Sequence, residues 1–207
     1  MKKPSDSTRS DFGHFGQYNN VIHKAGQFFI LTGGPGSGKS SLIDALARLG
    51  YDRTVEAGRG IIQDQVDIGG DALPWGNRTL FAEMMLSWEL RSYRGALELP
   101  GPVFFDRGIP DVIGYLRLVD LPVPPHAMKA AEAFRYNGRV FVAPPWKEIF
   151  HPDRERKQDF DEAIRTYESL VSVYNEYGYE LVELPRVSID ERVQFVLDKI
   201  AEAGFQV

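Results

Sequence analysis

Short apolar runs alternate along the chain with longer stretches of helical periodicity. Five runs stand out: residues 27–32, a weaker one at Arg53-Thr54-Val55, residues 103–106, residues 139–143 and residues 179–184. Most are β-branched or aromatic and bounded by Gly or Pro, which predicts buried strands. The first helix starts at Lys39, carries Leu42, Leu46 and Leu49 on one face and stops at Gly50. A second covers residues 59–66, and a third opens after Asn77 as N-cap and runs to about Leu97. Further helices fall near residues 110–118 and 125–136. A long one carries Phe160, Ile164, Tyr167, Val171 and Tyr174 at helical spacing. The last opens on the capping box Ser188-x-x-Glu191 and buries Val193, Leu197 and Ile200. Strands alternating with helices predict right-handed βαβ units, a parallel sheet and an α/β fold.

Composition narrows this picture. The chain has 207 residues, 43% of them hydrophobic, enough for one domain with a real core. Residues 1–25 read as a flexible polar arm without the apolar stretch of a signal peptide, and residues 26–207 as a single domain. The net charge of −5 argues against a general nucleic-acid binder. No apolar run is long enough to span a membrane. The absence of cysteine excludes disulfides, thiolate zinc sites and cysteine nucleophiles. A cytoplasmic location is expected.

The decisive motif is Gly33-Gly34-Pro35-Gly36-Ser37-Gly38-Lys39-Ser40, followed by Ser41. It fits G-x-x-x-x-G-K-[ST] between a predicted strand and a predicted helix, the context that gives the pattern its meaning. Glycines let backbone N–H groups wrap phosphate oxygens, and the helix N-terminus adds partial positive charge there. Lys39 is expected on the β- and γ-phosphates of ATP and the Ser40 hydroxyl on Mg²⁺. A degenerate loop that binds nucleotide without chemistry is the alternative.

Asp106 ends the third strand, where ligands of open α/β sheets bind, and is expected to hold magnesium. The next residue is Arg107, where an ATPase motor carries a second acid; a guanidinium there suits transfer to a bound acceptor. A structural ion pair between the two is the other reading. Glu56 and Arg59 follow the second strand, Glu56 as candidate base for the acceptor's proton and Arg59 as candidate anchor for a phosphate or carboxylate. A solvated helix start would also explain them. The loop 69–75 is a candidate wall of an acceptor pocket, with Trp75 either lining it or simply packing. Past the fourth strand, Arg154, Arg156 and Lys157 are candidates for a helical lid that closes on phosphate, or for a solvated mixed-charge face. His14, His23, His126 and His151 show no metal-ligand spacing, and Pro185-Arg186 is positioned to border an adenine ring.

The P-loop, the segment 55–59, the run Asp106-Arg107-Gly108-Ile109-Pro110-Asp111 and Pro145-Trp146 with Asp153-x-x-Arg156 resemble the small bacterial P-loop ATPases classed as an AAA domain family. That family is similar to the kinase domain that phosphorylates nicotinamide riboside and, more distantly, to nucleoside and nucleotide kinases. The resemblance covers about residues 26–203. It implies a three-layer P-loop fold, a five-stranded parallel sheet in the order 2-3-1-4-5 and a helical lid. It also implies Glu56 or Asp106 as base, Arg107 as phosphate contact and Arg156 as a lid arginine. No nucleobase-reading motif is recognisable, nor are a second Walker B acid and the sensor and arginine-finger segments of a ring motor. The reading that results is an ATP- and magnesium-dependent phosphotransferase for an unidentified small-molecule acceptor. The alternative is a regulatory P-loop ATPase that signals to a protein partner.

Overall fold

A computed structural model describes residues 24–150 and 159–205. The arm, except for its last two residues, and the lid cations Arg154, Arg156 and Lys157 lie outside the described residues, as do His14, His23 and His151.

Five strands form one parallel sheet: β1 (Phe28–Gly33), β2 (Asp52–Arg53), β3 (Val103–Asp106), β4 (Arg139–Ala143) and β5 (Glu180–Glu183). Their spatial order is β2-β3-β1-β4-β5. Seven helices accompany them among the described residues: α1 (Lys39–Arg48), α2 (Ala57–Ile68), α3 (Arg78–Ala96), α4 (Ile109–Leu118), α5 (Pro125–Ala133), α6 (Phe160–Glu176) and α7 (Ile189–Glu202). Both the order and the α/β class are those expected from the sequence.

The period of two along β1 builds the core in two layers. Phe28 and Ile30 join Val103, Phe105 and Val140 beneath α3, α4, α5 and α6. Phe29 and Leu31 join Phe104, Phe141 and Ala143 beneath α1 and α7. All six residues of β1 are buried, as the central strand of a sheet covered on both faces requires. A smaller apolar cluster of Ala57, Ile61, Ile62, Leu73 and Phe81 sits between α2 and α3.

Several local expectations shift. The second strand covers Asp52 and Arg53, Thr54 N–H still donates to Phe104 O at 2.9 Å, and Val55 has already left the sheet for solvent. Leu49 caps α1 and is exposed, while Ile43 and Ala45 join Leu42 and Leu46 inside. On α6 the buried row is Ala163, Leu170, Val173 and Tyr174 rather than the row through Ile164, Tyr167 and Val171, because the helix faces α4 as well as the sheet. On α7, Val196 takes the buried place expected of Leu197. The packed body reaches back to residue 24: Lys24 Nζ donates to Leu99 O at 2.8 Å and Ala25 is buried.

Candidate active site

The chain leaves β1 into the phosphate loop, whose shape depends on glycine at every turn. Gly36 and Gly38 have φ of 67° and 81°, the left-handed region that side chains resist. At Gly33 and Gly34 the constraint is space: a β-carbon would collide with the carbonyls of Ala143 and Ala163. Ser37 Oγ donates to Gly34 O at 2.8 Å, and Lys39 Nζ donates to Gly34 O at 2.7 Å and Ser37 Oγ at 3.2 Å. Lys39 thus lies over the loop, at the head of α1, where the helix end favours anions. Ser40 and Ser41 are exposed beside it.

β3 delivers Asp106 to the same edge, opposite Leu31 of β1. Its N–H is held by Thr54 Oγ1 at 3.1 Å, whereas its Oδ1 is buried without a hydrogen-bond partner among the described residues. Burial first, then the Glu56 charge, raise its pKa from 3.8 to about 6, against the pull of Lys39 and Arg107. An orphaned carboxylate oxygen in this position fits a magnesium ion carried in by a nucleotide. No group of three or more His, Asp or Glu among the described residues could hold a metal without such help.

Arg107 follows with φ of 75°, an uncommon conformation for a residue with a β-carbon. It aims the guanidinium between two carboxylates. Arg107 Nε donates to Glu56 Oε1 at 3.1 Å and Nη1 to Asp111 Oδ1 at 3.2 Å. Burial works against its charge, but Glu56, Asp111 and Asp106 more than compensate, so it stays protonated. Asp111 also accepts from Thr32 Oγ1 at 2.6 Å, from Gly108 N–H at 3.0 Å and from the Tyr174 hydroxyl. It therefore ties β1, α4 and α6 together beneath the guanidinium. Gly108 is needed because a β-carbon there would strike Ile30 and crowd Tyr136.

Next to this pair a cavity of about 240 Å³ opens. Pro35, Glu56 and Arg107 form its phosphate-loop end, and Pro74 and Trp75 lie on its wall. The structure therefore brings Glu56, Arg107, Trp75 and the P-loop to one space. Arg59 is not part of that wall; it is partly exposed, with Nε 3.9 Å from Glu56 Oε2. His126 lies elsewhere, against Glu83 at 2.9 Å.

The sequence pattern of the family described as "AAA domain" matches residues 28–192. The chain belongs to this AAA domain family. The match begins at the first strand and includes the P-loop, Glu56, Asp106, Arg107 and Asp111. No curated protein matches the chain by sequence.

The AAA domain is similar in fold to several solved kinase structures. One is a NadR protein in complex with NR, at 18% identity and a TM-score of 0.64, covering 89% of this chain and 52% of the other. The chain thus spans about half the length of that protein. A deoxyadenosine kinase from M. mycoides gives 12% identity and a TM-score of 0.56, covering 84% and 99%. A thymidylate kinase from Ehrlichia chaffeensis gives 13% and 0.57, covering 85% and 98%. At these identities the likeness is one of fold, that of P-loop kinases.

The sequence reading missed three site residues of this AAA domain. Asp111 was visible only as part of a run, since its partners come from three elements. Glu89, on α3, lines the cavity and is 3% exposed. Arg192, on α7, is fully buried; Nη1 donates to Ser37 O at 2.9 Å and Nε to Pro185 O at 2.8 Å, and its guanidinium lies 4.9 Å from the Trp146 ring centre. It fastens the phosphate loop to the β5–α7 loop and to Trp146 after β4. The signal for both was a charged residue in an apolar helical row. Arg186 lines a second recess with Pro145, Lys147, Glu148, Phe160 and Ile164, none of which lines the first cavity. No helix among the described residues is long and apolar enough to cross a membrane.

Proposed function

We propose that this protein is an ATP- and magnesium-dependent phosphotransferase acting on a small-molecule alcohol. The observation that carries the reading is the Glu56–Arg107 pair, which shares the wall of a half-open, largely apolar cavity with Pro35 of the phosphate loop. A motor or switch that hydrolyses ATP has no use for such a cavity beside its Walker B strand.

The acceptor occupies the cavity with its hydroxyl toward Glu56. Glu56 takes the hydroxyl proton as the oxygen attacks the γ-phosphorus, the bond to the β–γ bridging oxygen breaks, and ADP leaves. Arg107 holds Glu56 in place and sets a fixed positive charge against the moving phosphoryl group. Lys39 and the loop N–H groups carry the negative charge of the β- and γ-phosphates. Ser40 and Asp106 are the residues that would hold magnesium, which when bound neutralises phosphate charge. Arg192 keeps the loop and the β5–α7 segment in fixed relation, and Pro185-Arg186 borders the base. Arg154, Arg156 and Lys157 would close over the phosphates and exclude water.

The test is ADP release from Mg-ATP across nucleosides, nucleotides, nicotinamide riboside, sugars and amino sugars, with Lys39→Ala as blank. An acceptor that raises release well above the rate in water supports the reading. Equal slow release with every acceptor overturns it in favour of a regulatory ATPase.

A further inference from the structure

Among the carboxyl groups of the cavity wall, Glu89 stands in an apolar helical row and takes no part in the mechanism above. Phe81, Met85 and Glu89 follow one another at four-residue spacing on α3, and all three line the cavity. An apolar residue would complete that row. Glu89 instead places an acid there, 3% exposed, with no hydrogen bond or ion pair to any described residue. Arg107, whose charge reaches Glu89, already gives Nε to Glu56 and Nη1 to Asp111. The acid lines the cavity rather than meeting a protein partner, so packing alone gives no reason for it. On α4, the hydroxyl of Tyr115 is buried without a hydrogen-bond partner among the described residues, its ring edge-on to Phe81 at 5.3 Å.

Ile62, Val112, Leu118 and Leu170 add apolar wall, and Glu162 and Thr166 line it as well. Positive charge is scarce: Arg107 is engaged, and Arg78, at the exposed edge, bonds Pro74 O at 3.0 Å. Glu56, Asp111 and Glu162 outnumber them, so a phosphate or carboxylate on the acceptor would meet a net negative wall. Burial, then Asp111 and Asp106, hold the Glu89 carboxyl well above the usual carboxylate range, as expected of an acid awaiting a partner. The volume of about 240 Å³ suits a body of nucleoside size.

We propose that Glu89 selects the acceptor: it accepts a hydrogen bond from a donor nitrogen on an uncharged or cationic, ring-bearing alcohol whose hydroxyl faces Glu56, and phosphorylated acceptors are rejected. Tyr115 supplies a second polar contact. This specificity rests on the phosphotransfer reading for its chemistry but not for its binding, which is measured separately.

The experiment is calorimetric binding of a panel of ring-bearing alcohols: members with and without a donor nitrogen, and the monophosphates of both. Wild type, Glu89→Leu and Glu89→Gln are compared, with ADP release followed in parallel. Donor-bearing, unphosphorylated members are expected to bind, with affinity falling about 10- to 100-fold in Glu89→Leu and largely kept in Glu89→Gln, whose amide oxygen still accepts. Melting temperatures at or above wild type show that both variants fold. Binding by no donor-bearing member, preference for a monophosphate, or equal affinity in Glu89→Leu overturns the proposal. Glu89-dependent binding without acceptor-stimulated ADP release leaves it standing and overturns the phosphotransfer reading alone.

Discussion

Arg107 Nε lies 3.1 Å from Glu56 Oε1, a pairing between residues 51 positions apart that joins the ends of β2 and β3. The guanidinium fixes the orientation of the carboxylate beside the cavity. Glu56→Gln should keep this hydrogen bond and lose only the basicity. Its kcat should fall about 10²- to 10⁴-fold with the acceptor KM little changed. Steady-state kinetics with the best acceptor checks this, and an unchanged kcat would remove Glu56 from the chemistry.

Lys39 sits over the phosphate loop rather than in the core. Lys39→Ala should lower phosphoryl transfer by at least about 10²-fold while the circular dichroism spectrum stays that of the wild type. Transfer at the wild-type rate would remove the P-loop from the reaction.

Asp106 has its pKa raised from 3.8 to about 6. As pH rises the unfolded chain ionises first, so this carboxylate opposes folding from pH 4 upward, with the full cost above about pH 6. The shift corresponds to roughly 3 kcal/mol. With nucleotide and metal removed by chelation, Asp106→Asn should melt several degrees higher than wild type at pH 8, and the difference should shrink by pH 4.5. The same variant should lose its magnesium dependence and most of its activity. A lower melting temperature at pH 8 would show that Asp106 has a structural partner.

Arg192 takes no carboxylate among the described residues; it binds two carbonyls and stacks on Trp146. Arg192→Met preserves bulk and removes the donors. Thermal melts should show a loss of about 2–4 kcal/mol, and the KM for ATP should rise more than the KM for the acceptor. An equal rise in both would mean general loosening rather than positioning of the nucleotide loop.

Local chemistry was enough to place most of the fold and half of the site. The P-loop needs eight consecutive residues, and its glycines, Lys39 and Ser40 are therefore legible as a string. Strands β1, β3 and β4 announce themselves because a doubly covered sheet demands unbroken apolar runs. Asp106 and Glu56 follow from standing at strand ends. The two-residue β2 was harder, since one edge ladder of hydrogen bonds leaves little trace in composition.

What the tertiary structure alone decided is partnership. Glu56 and Arg107 meet only because β2 and β3 are neighbours in the sheet. Asp111 has a function as a hub only when Thr32 and Tyr174 arrive from β1 and α6. Glu89 and Arg192 look like misplaced charges in helical rows until the cavity and the loop carbonyls appear beside them. A sequence records which groups are available along one dimension. Desolvation and hydrogen bonding act on groups brought together in three, so the identity of each charge was given by the chain and its meaning by the packing.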